Sequence, residues 1–229
     1  MDSQERVKRA FHFDKPDRVP KILFSLASDF FAFPVSPSID FQPTNYPPHA
    51  GGGPAAYRSL LDRVFINSYH WKSECRKELG LPRAWWNHEI DGKIITIDEW
   101  GVLWSSGAAK RDLTMGHPIK GPFTDSWDAL DTYQPPDVYD ESRYRFWNPL
   151  MKAIGYGKYL LGHLGVCFLH NLPSWLRGFT KIMLDFRRNP NEVHKLVKIV
   201  TDYFYEQIQI MKEKAPRMDA ICVCDDLGT

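Results

Sequence analysis

Two carboxylates stand side by side at Asp225-Asp226, directly behind the strand-like run Asp219–Cys224. A carboxylate just past a buried strand suits general acid/base work or the holding of a substrate nitrogen. Aspartate equally caps a following helix. Adjacent strand residues face opposite ways, so at most one of the pair meets a given cleft. Within the same run, Cys222 and Cys224 share a face at period two. Cys-x-Cys offers two soft metal donors, half of a zinc site, whereas a reduced cysteine is more commonly a buried packing residue. His163 lies inside the apolar run Lys158–Val166; an imidazole there is either an acid/base near neutral pH or a satisfied core histidine. His170 follows as a looser candidate. Asp98 and Trp100 sit in a turn with Trp104 close behind, and indoles either stack on a planar ligand or pack the hairpin that carries them. The catalytic candidates are thus Asp225, Asp226 and His163, and the substrate-binding candidates are Asp98 and Trp100. No residue is assigned to a metal.

These residues need elements to position them. Asp2 and Glu5 have capping-box spacing, with Val7, Ala10 and Phe11 on one face of the helix that follows. Lys15–Arg18 reads as a turn, and Val19–Ala27 as a buried strand with Pro20 near its start, where a missing donor is tolerated. Between Phe33 and Ala56 lie six prolines and the triplet Gly51-Gly52-Gly53, predicting a long lid-like loop. Tyr57–Leu79 has helical spacing and stops at Gly80 before Pro82. Lys93–Ile97 and Val102–Trp104 read as a β-hairpin around Asp98–Gly101. Asp112–Tyr139 reads as proline-punctuated loop with one helical turn near Ser126–Leu130, and Glu141–Ile154 as a helix. Ser174–Arg188 is predicted to be one amphipathic helix burying Leu176, Phe179, Met183 and Phe186. Asn189-Pro190-Asn191-Glu192 then supplies an N-cap, a first-turn proline and a glutamate at N3. Val193, Leu196, Val197, Val200, Phe204, Ile208 and Met211 keep helical period to Lys214.

The order strand, long connection, strand, helices, strand, with continuously apolar strands, argues for a parallel α/β sheet covered by helices. The expectation is one domain over residues 1–229: either a small open sheet or an incomplete TIM-type (β/α) barrel, roughly its first half, ending after the strand at 219–224. A closed barrel needs eight such strands, and only three or four are legible. In this reading Val19–Ala27, Lys158–Val166 and Asp219–Cys224 are neighbouring parallel strands.

Composition limits the function classes. The formal net charge of +1 gives no field to draw nucleic acid or an anionic membrane. Hydrophobic residues at 43% and charged residues at 25% are globular values that exclude wholesale disorder. Four scattered cysteines make no disulfide framework, the polar N-terminus is no secretory leader, and no apolar stretch reaches membrane-span length. A soluble, cytoplasmic, reduced protein acting on a small molecule is expected.

Several segments, in order, resemble one family. Glu5–Ala10 through Asp14-Lys15-Pro16-Asp17-Arg18-Val19-Pro20 is similar to the opening of the uroporphyrinogen decarboxylase superfamily. Asp98-Glu99-Trp100-Gly101-Val102, Gly162-His163-Leu164-Gly165, Leu176-Arg177-Gly178-Phe179, Asn189-Pro190 and Asp225-Asp226-Leu227-Gly228-Thr229 continue the likeness. The resemblance implies a TIM-type barrel with its cleft at the C-terminal strand ends. It also implies one of two chemistries: cofactor-free tetrapyrrole decarboxylation, or methyl transfer to or from a corrinoid or a thiol. The decarboxylase branch carries an arginine-rich Met-Arg-Gln-Ala-Gly-Arg segment for propionate carboxylates, but here Phe24–Asp29 contains no arginine. Recognising many carboxylates without bidentate donors is physically implausible. The reading therefore favours a methyltransferase-like member with a corrinoid protein as partner, and keeps the decarboxylase and a non-catalytic binding module or inactive fragment as alternatives. In the methyltransferase branch, zinc is held by His-x-Cys and a later Cys in the second half of the barrel, so the resemblance puts those ligands beyond Thr229. Asp98 falls near the place of the aspartate that gathers pyrrole N–H groups in the decarboxylase branch.

Overall fold

Asp2 starts the fold: its Oδ1 accepts the Glu5 N–H at 2.8 Å and caps α1 (Ser3–Phe11), as the capping-box spacing predicts. The computed structural model describes residues 1–21, 29–34, 88–90, 93–97, 100–107, 117–139, 141, 144, 147–153, 155–164 and 170–223. The long loop through Ala56, the helix expected at Tyr57–Leu79, Cys75, Asp98, Cys167, Cys224, Asp225 and Asp226 lie outside the described residues.

Three strands form a parallel sheet in the order β1–β6–β7: β1 (Phe30–Pro34), β6 (Tyr159–His163) and β7 (Ala220–Cys222). The second and third are the strands expected at 158–166 and 219–224. The first differs from the expectation. Residues 19–21 are irregular, residues 22–28 lie outside the described residues, and the strand that pairs with β6 begins at Phe30. Asp29 explains the shift: its backbone carbonyl accepts the Tyr159 N–H at 2.9 Å, so the ladder starts there.

A second, antiparallel sheet contains β2 (His88–Ile90), β3 (Lys93–Ile97), β4 (Leu103–Gly107) and β5 (His117–Lys120) in chain order. The β3–β4 pair is the expected hairpin, with Ile97 opposite Leu103. β5 falls in a stretch read as loop. It carries Pro118 and is exposed along its length, which an edge strand tolerates because its outer N–H groups need no partner. The helical turn expected near 126–130 appears as a 3₁₀ turn at Leu130–Thr132. The helix expected over 141–154 is α2 (Trp147–Ala153).

The stretch read as one helix over 174–188 is two: α3 (Asn171–Arg177) and α4 (Phe179–Arg188). Gly178 separates them at φ +92°, a conformation open to glycine and strained for other residues. The break resets the helical phase. Leu176 is buried as expected, but Phe179, Met183 and Phe186 are exposed, and Ile182 and Asp185 take the inner positions.

α5 (Pro190–Lys214) follows with proline at N1, an acidic first turn at Glu192 and a basic last turn at Lys212 and Lys214, each sign suited to its helix end. Val193, Leu196, Val200, Phe204 and Met211 are buried as the period demands, with Val197 and Ile208 partly buried beside them. The main core surrounds this helix and includes Leu160, Leu164, Leu172, Leu176 and Phe123. No helix among the described residues is long and apolar enough to cross a membrane.

Candidate functional site

The faces of the parallel sheet decide what β6 and β7 can present. A Cβ on Gly162 would collide with the Met211 methyl and the Met218 sulfur, so position 162 faces the helical layer. Leu160 and Ile221 belong to the same core. Positions alternate along a strand, so 159, 161 and 163 occupy the opposite face. Their register partners there include Phe30, Ala220 and Cys222, since Phe30 pairs with Tyr159, Leu161 with Ala220 and His163 with Cys222. Val7, Phe30 and Tyr159 form a small second core with Ala220 against it. α1 therefore covers the N-terminal end of this face, and positions 163 and 222 lie in register at its C-terminal end.

The candidates divide accordingly. His163 is the last residue of β6, level with Pro34 of β1 and Cys222 of β7. Cys222 is a partly exposed, reduced cysteine. Asp225 and Asp226 follow three and four residues further along the chain, outside the described residues. Trp100 is elsewhere. It is 6% exposed on the helical side, edge-on to Tyr203 at 4.8 Å and stacked with Phe204 at 6.3 Å, and its carbonyl accepts the Tyr133 hydroxyl at 2.9 Å. Its ring packs the core around α5 rather than the hairpin that carries it. His170 precedes α3, with Nδ1 2.8 Å from Asn171 Oδ1 and its ring edge-on to Phe179. The structure thus brings His163 and Cys222 to one edge and does not bring Trp100 there.

At the opposite end of the sheet the opening motif serves a different purpose. Asp29 is fully buried. Its carboxylate accepts Arg6 Nη1 at 2.6 Å, Arg18 Nη1 at 2.6 Å and Nη2 at 2.8 Å, the Lys21 N–H at 2.8 Å and Ser3 Oγ at 3.0 Å. Burial alone would raise this carboxyl; the bonds from Arg18, Lys21, Arg6 and Ser3 hold it well below the usual carboxylate range. Arg6 also grips Asp17, Nε to Oδ1 at 2.5 Å and Nη2 to Oδ2 at 2.9 Å, which lowers the Asp17 pKa to about 2. The Arg6 guanidinium is correspondingly raised, first by Asp17. Nearby, Asp219 accepts Gln4 Nε2 at 2.5 Å and the Leu160 N–H at 3.0 Å, tying the start of β7 to α1 and β6. Burial, then the Asp219 charge, raises the Tyr159 phenol. This is a lock across α1, the Asp17-Arg18 turn and the starts of β1, β6 and β7. Sequence reading missed it because Asp29 meets its arginines 23 and 11 residues away.

The described donors do not make up a zinc site. No three His, Cys, Asp or Glu side chains converge among the described residues, whereas zinc takes three or four protein ligands. Compared with protein-family models, curated proteins and solved structures, the chain matches none.

Proposed function

We propose that the protein is a methyltransferase-like member of the uroporphyrinogen decarboxylase superfamily, handling a corrinoid- or thiol-linked methyl group in a cleft at the C-terminal ends of its parallel strands. In this reading β1, β6 and β7 are consecutive strands of a TIM-type barrel, and the antiparallel sheet is an insertion between the first two. The observation that carries it is the alignment of the strand ends: Pro34, His163 and Cys222 lie in one register row, and Asp225-Asp226 follows from that row in the chain. Parallel strands deliver their C-terminal residues to a common edge, where such barrels keep their chemistry. His163 and one of the two aspartates are the acid/base candidates.

The lock supports this branch over the decarboxylase. Arg6 and Arg18, which contact Asp29 just before β1, are bound to Asp29 and Asp17 at the N-terminal end of the sheet. They are therefore not donors for substrate carboxylates at the other end. The reading assigns zinc no residue of this chain. A bound corrinoid would supply the carbon–cobalt bond; the protein's part is to hold the acceptor and to move a proton at the strand ends.

The test is a spectroscopic titration of the purified full-length protein with methylcobalamin and candidate thiols as methyl acceptors, and with cob(I)alamin and aryl methyl ethers as methyl donors. The expected result is demethylation or methylation of the cobamide that depends on protein and on acceptor or donor and weakens with His163→Gln. Transfer at the protein-free rate with every acceptor and donor would refute the proposal.

A further inference from the structure

We infer that the outer face of α4 is a docking surface for an acidic amphipathic helix of another protein. Phe179, Met183, Leu184 and Phe186 are 58%, 41%, 45% and 57% exposed on this ten-residue helix. At 3.6 residues per turn, Phe186, Phe179 and Met183 fall within an arc of about 60°, and Arg187 projects between Met183 and Leu184. The exposed apolar surface therefore has a guanidinium within it.

The charges on α4 have one sign. Its only acid, Asp185, is buried, bonded to Arg177 Nε at 2.6 Å and to the Asn189 amide. Its basic residues, Lys181, Arg187 and Arg188, are all exposed. Lys181 donates to the Thr124 carbonyl, while Arg187 and Arg188 make no ion pair with the described residues. Phe, Met and Arg are the residue types enriched where proteins dock.

This distribution selects the occupant. A second copy of the same face would bring arginines against arginines, and like charges across an interface are strongly disfavoured. A lipid surface would take the phenylalanines and pair its phosphates with the arginines, but the formal net charge of +1 gives the chain no field to hold it at an anionic membrane. A helix with an apolar stripe and flanking glutamates satisfies both components: the stripe covers Phe179, Met183 and Phe186, and a carboxylate meets Arg187. α3 and α4 lie on the connection that leaves the C-terminal end of β6, so a partner docked on α4 engages the chain's path from the candidate cleft.

The experiment is fluorescence anisotropy with three labelled peptides: an amphipathic helix with a leucine stripe and flanking glutamates, the same helix with lysines in place of glutamates, and a scrambled acidic control. The acidic amphipathic peptide is expected to bind at least about tenfold tighter than either other peptide, with affinity falling as salt rises. Arg187→Glu and, separately, Phe186→Ser should each weaken it by about tenfold or more. Both residues are exposed, and unchanged melting of the variants would establish that the fold is intact. Equal binding of acidic and basic peptides, or binding that survives both substitutions, would overturn the inference. It would also be overturned by self-association in sedimentation, or by capture on phosphatidylserine vesicles, that is lost in Phe186→Ser while the peptide fails to bind. The readout is binding alone, so it stands or falls separately from methyl transfer.

Discussion

Replacing Asp29 with asparagine removes one charge from a fully buried site and keeps the shape of the side chain. Breaking a buried ion pair from one side costs about 3–5 kcal/mol, because the partner charge is left uncompensated. Two features place Asp29→Asn toward the lower figure. Arg6 retains Asp17, and the Arg18 side chain is 41% exposed and can rehydrate. The expected loss is about 3 kcal/mol, a large part of the roughly 5–15 kcal/mol that holds a domain folded. For a chain of this size that lowers the melting temperature by about 6–12 °C. The acid dependence gives a second reading. The folded-state pKa of Asp29 lies below its unfolded value. Its contribution is therefore fully present above the unfolded value of about 4, and is lost as pH falls from there through the folded value. Urea titrations followed by circular dichroism should show a wild-type advantage that is flat between about pH 7 and 5 and shrinks below about pH 4. Asp17→Asn should cost less, because the Asp17 side chain is 43% exposed and exposed pairs contribute little. A loss below about 1 kcal/mol for Asp29→Asn, or a difference that persists unchanged into acid, would refute the lock as described.

Gly121→Ala should destabilise more than Gly162→Ala in the same titrations, because its Cβ meets the rigid Trp175 and Leu176 carbonyls, whereas at 162 it meets the flexible ends of Met211 and Met218; equal costs would count against the packing. For Gly162→Ala the overpacking range of about 1–3 kcal/mol applies. Arg177→Met should cost about 3 kcal/mol by stranding buried Asp185, and adding Asp185→Leu should recover part of that loss; strictly additive losses would contradict the coupling. In the methyl-transfer assay, Asp225→Asn or Asp226→Asn should lower turnover by about 10²–10⁴-fold at whichever position acts as acid/base. Unaltered turnover in both would leave helix capping as their role, since asparagine caps about as well as aspartate.

Where local rules suffice, the sequence was enough. The Asp2 cap needs only its own helix, the period of α5 persists over 25 residues, and the β3–β4 hairpin joins segments adjacent in the chain. β6 and β7 were legible as apolar runs of strand length. The misreadings have a common physical origin. Phe179, Met183 and Phe186 obey helical spacing, so they look inward until Gly178 breaks the helix and Arg177 draws Asp185 into the interior. Spacing states which residues share a face; only tertiary contacts state where that face looks. Likewise, Asp29 lies just past the strand expected at Val19–Ala27. In the structure Asp29 opens one, because two arginines from earlier segments neutralise it there.

The same contrast applies to the opening motif and the candidate site. Asp17 and Arg18 are charged residues in a turn, a pattern suited equally to binding and to structure. Their geometry resolves the choice: each is paired with a residue of the lock, and the lock lies at the N-terminal end of the sheet. At the other end of the sheet, positions 163 and 222 share a face. Alternation makes this separation a consequence of the register. A shift of β7 by one residue against β6 would turn Cys222 toward the helical layer and Ile221 away from it. The packing of Ile221 in the main core and of Ala220 beside Tyr159 is therefore what holds Cys222 on the face that β6 assigns to His163.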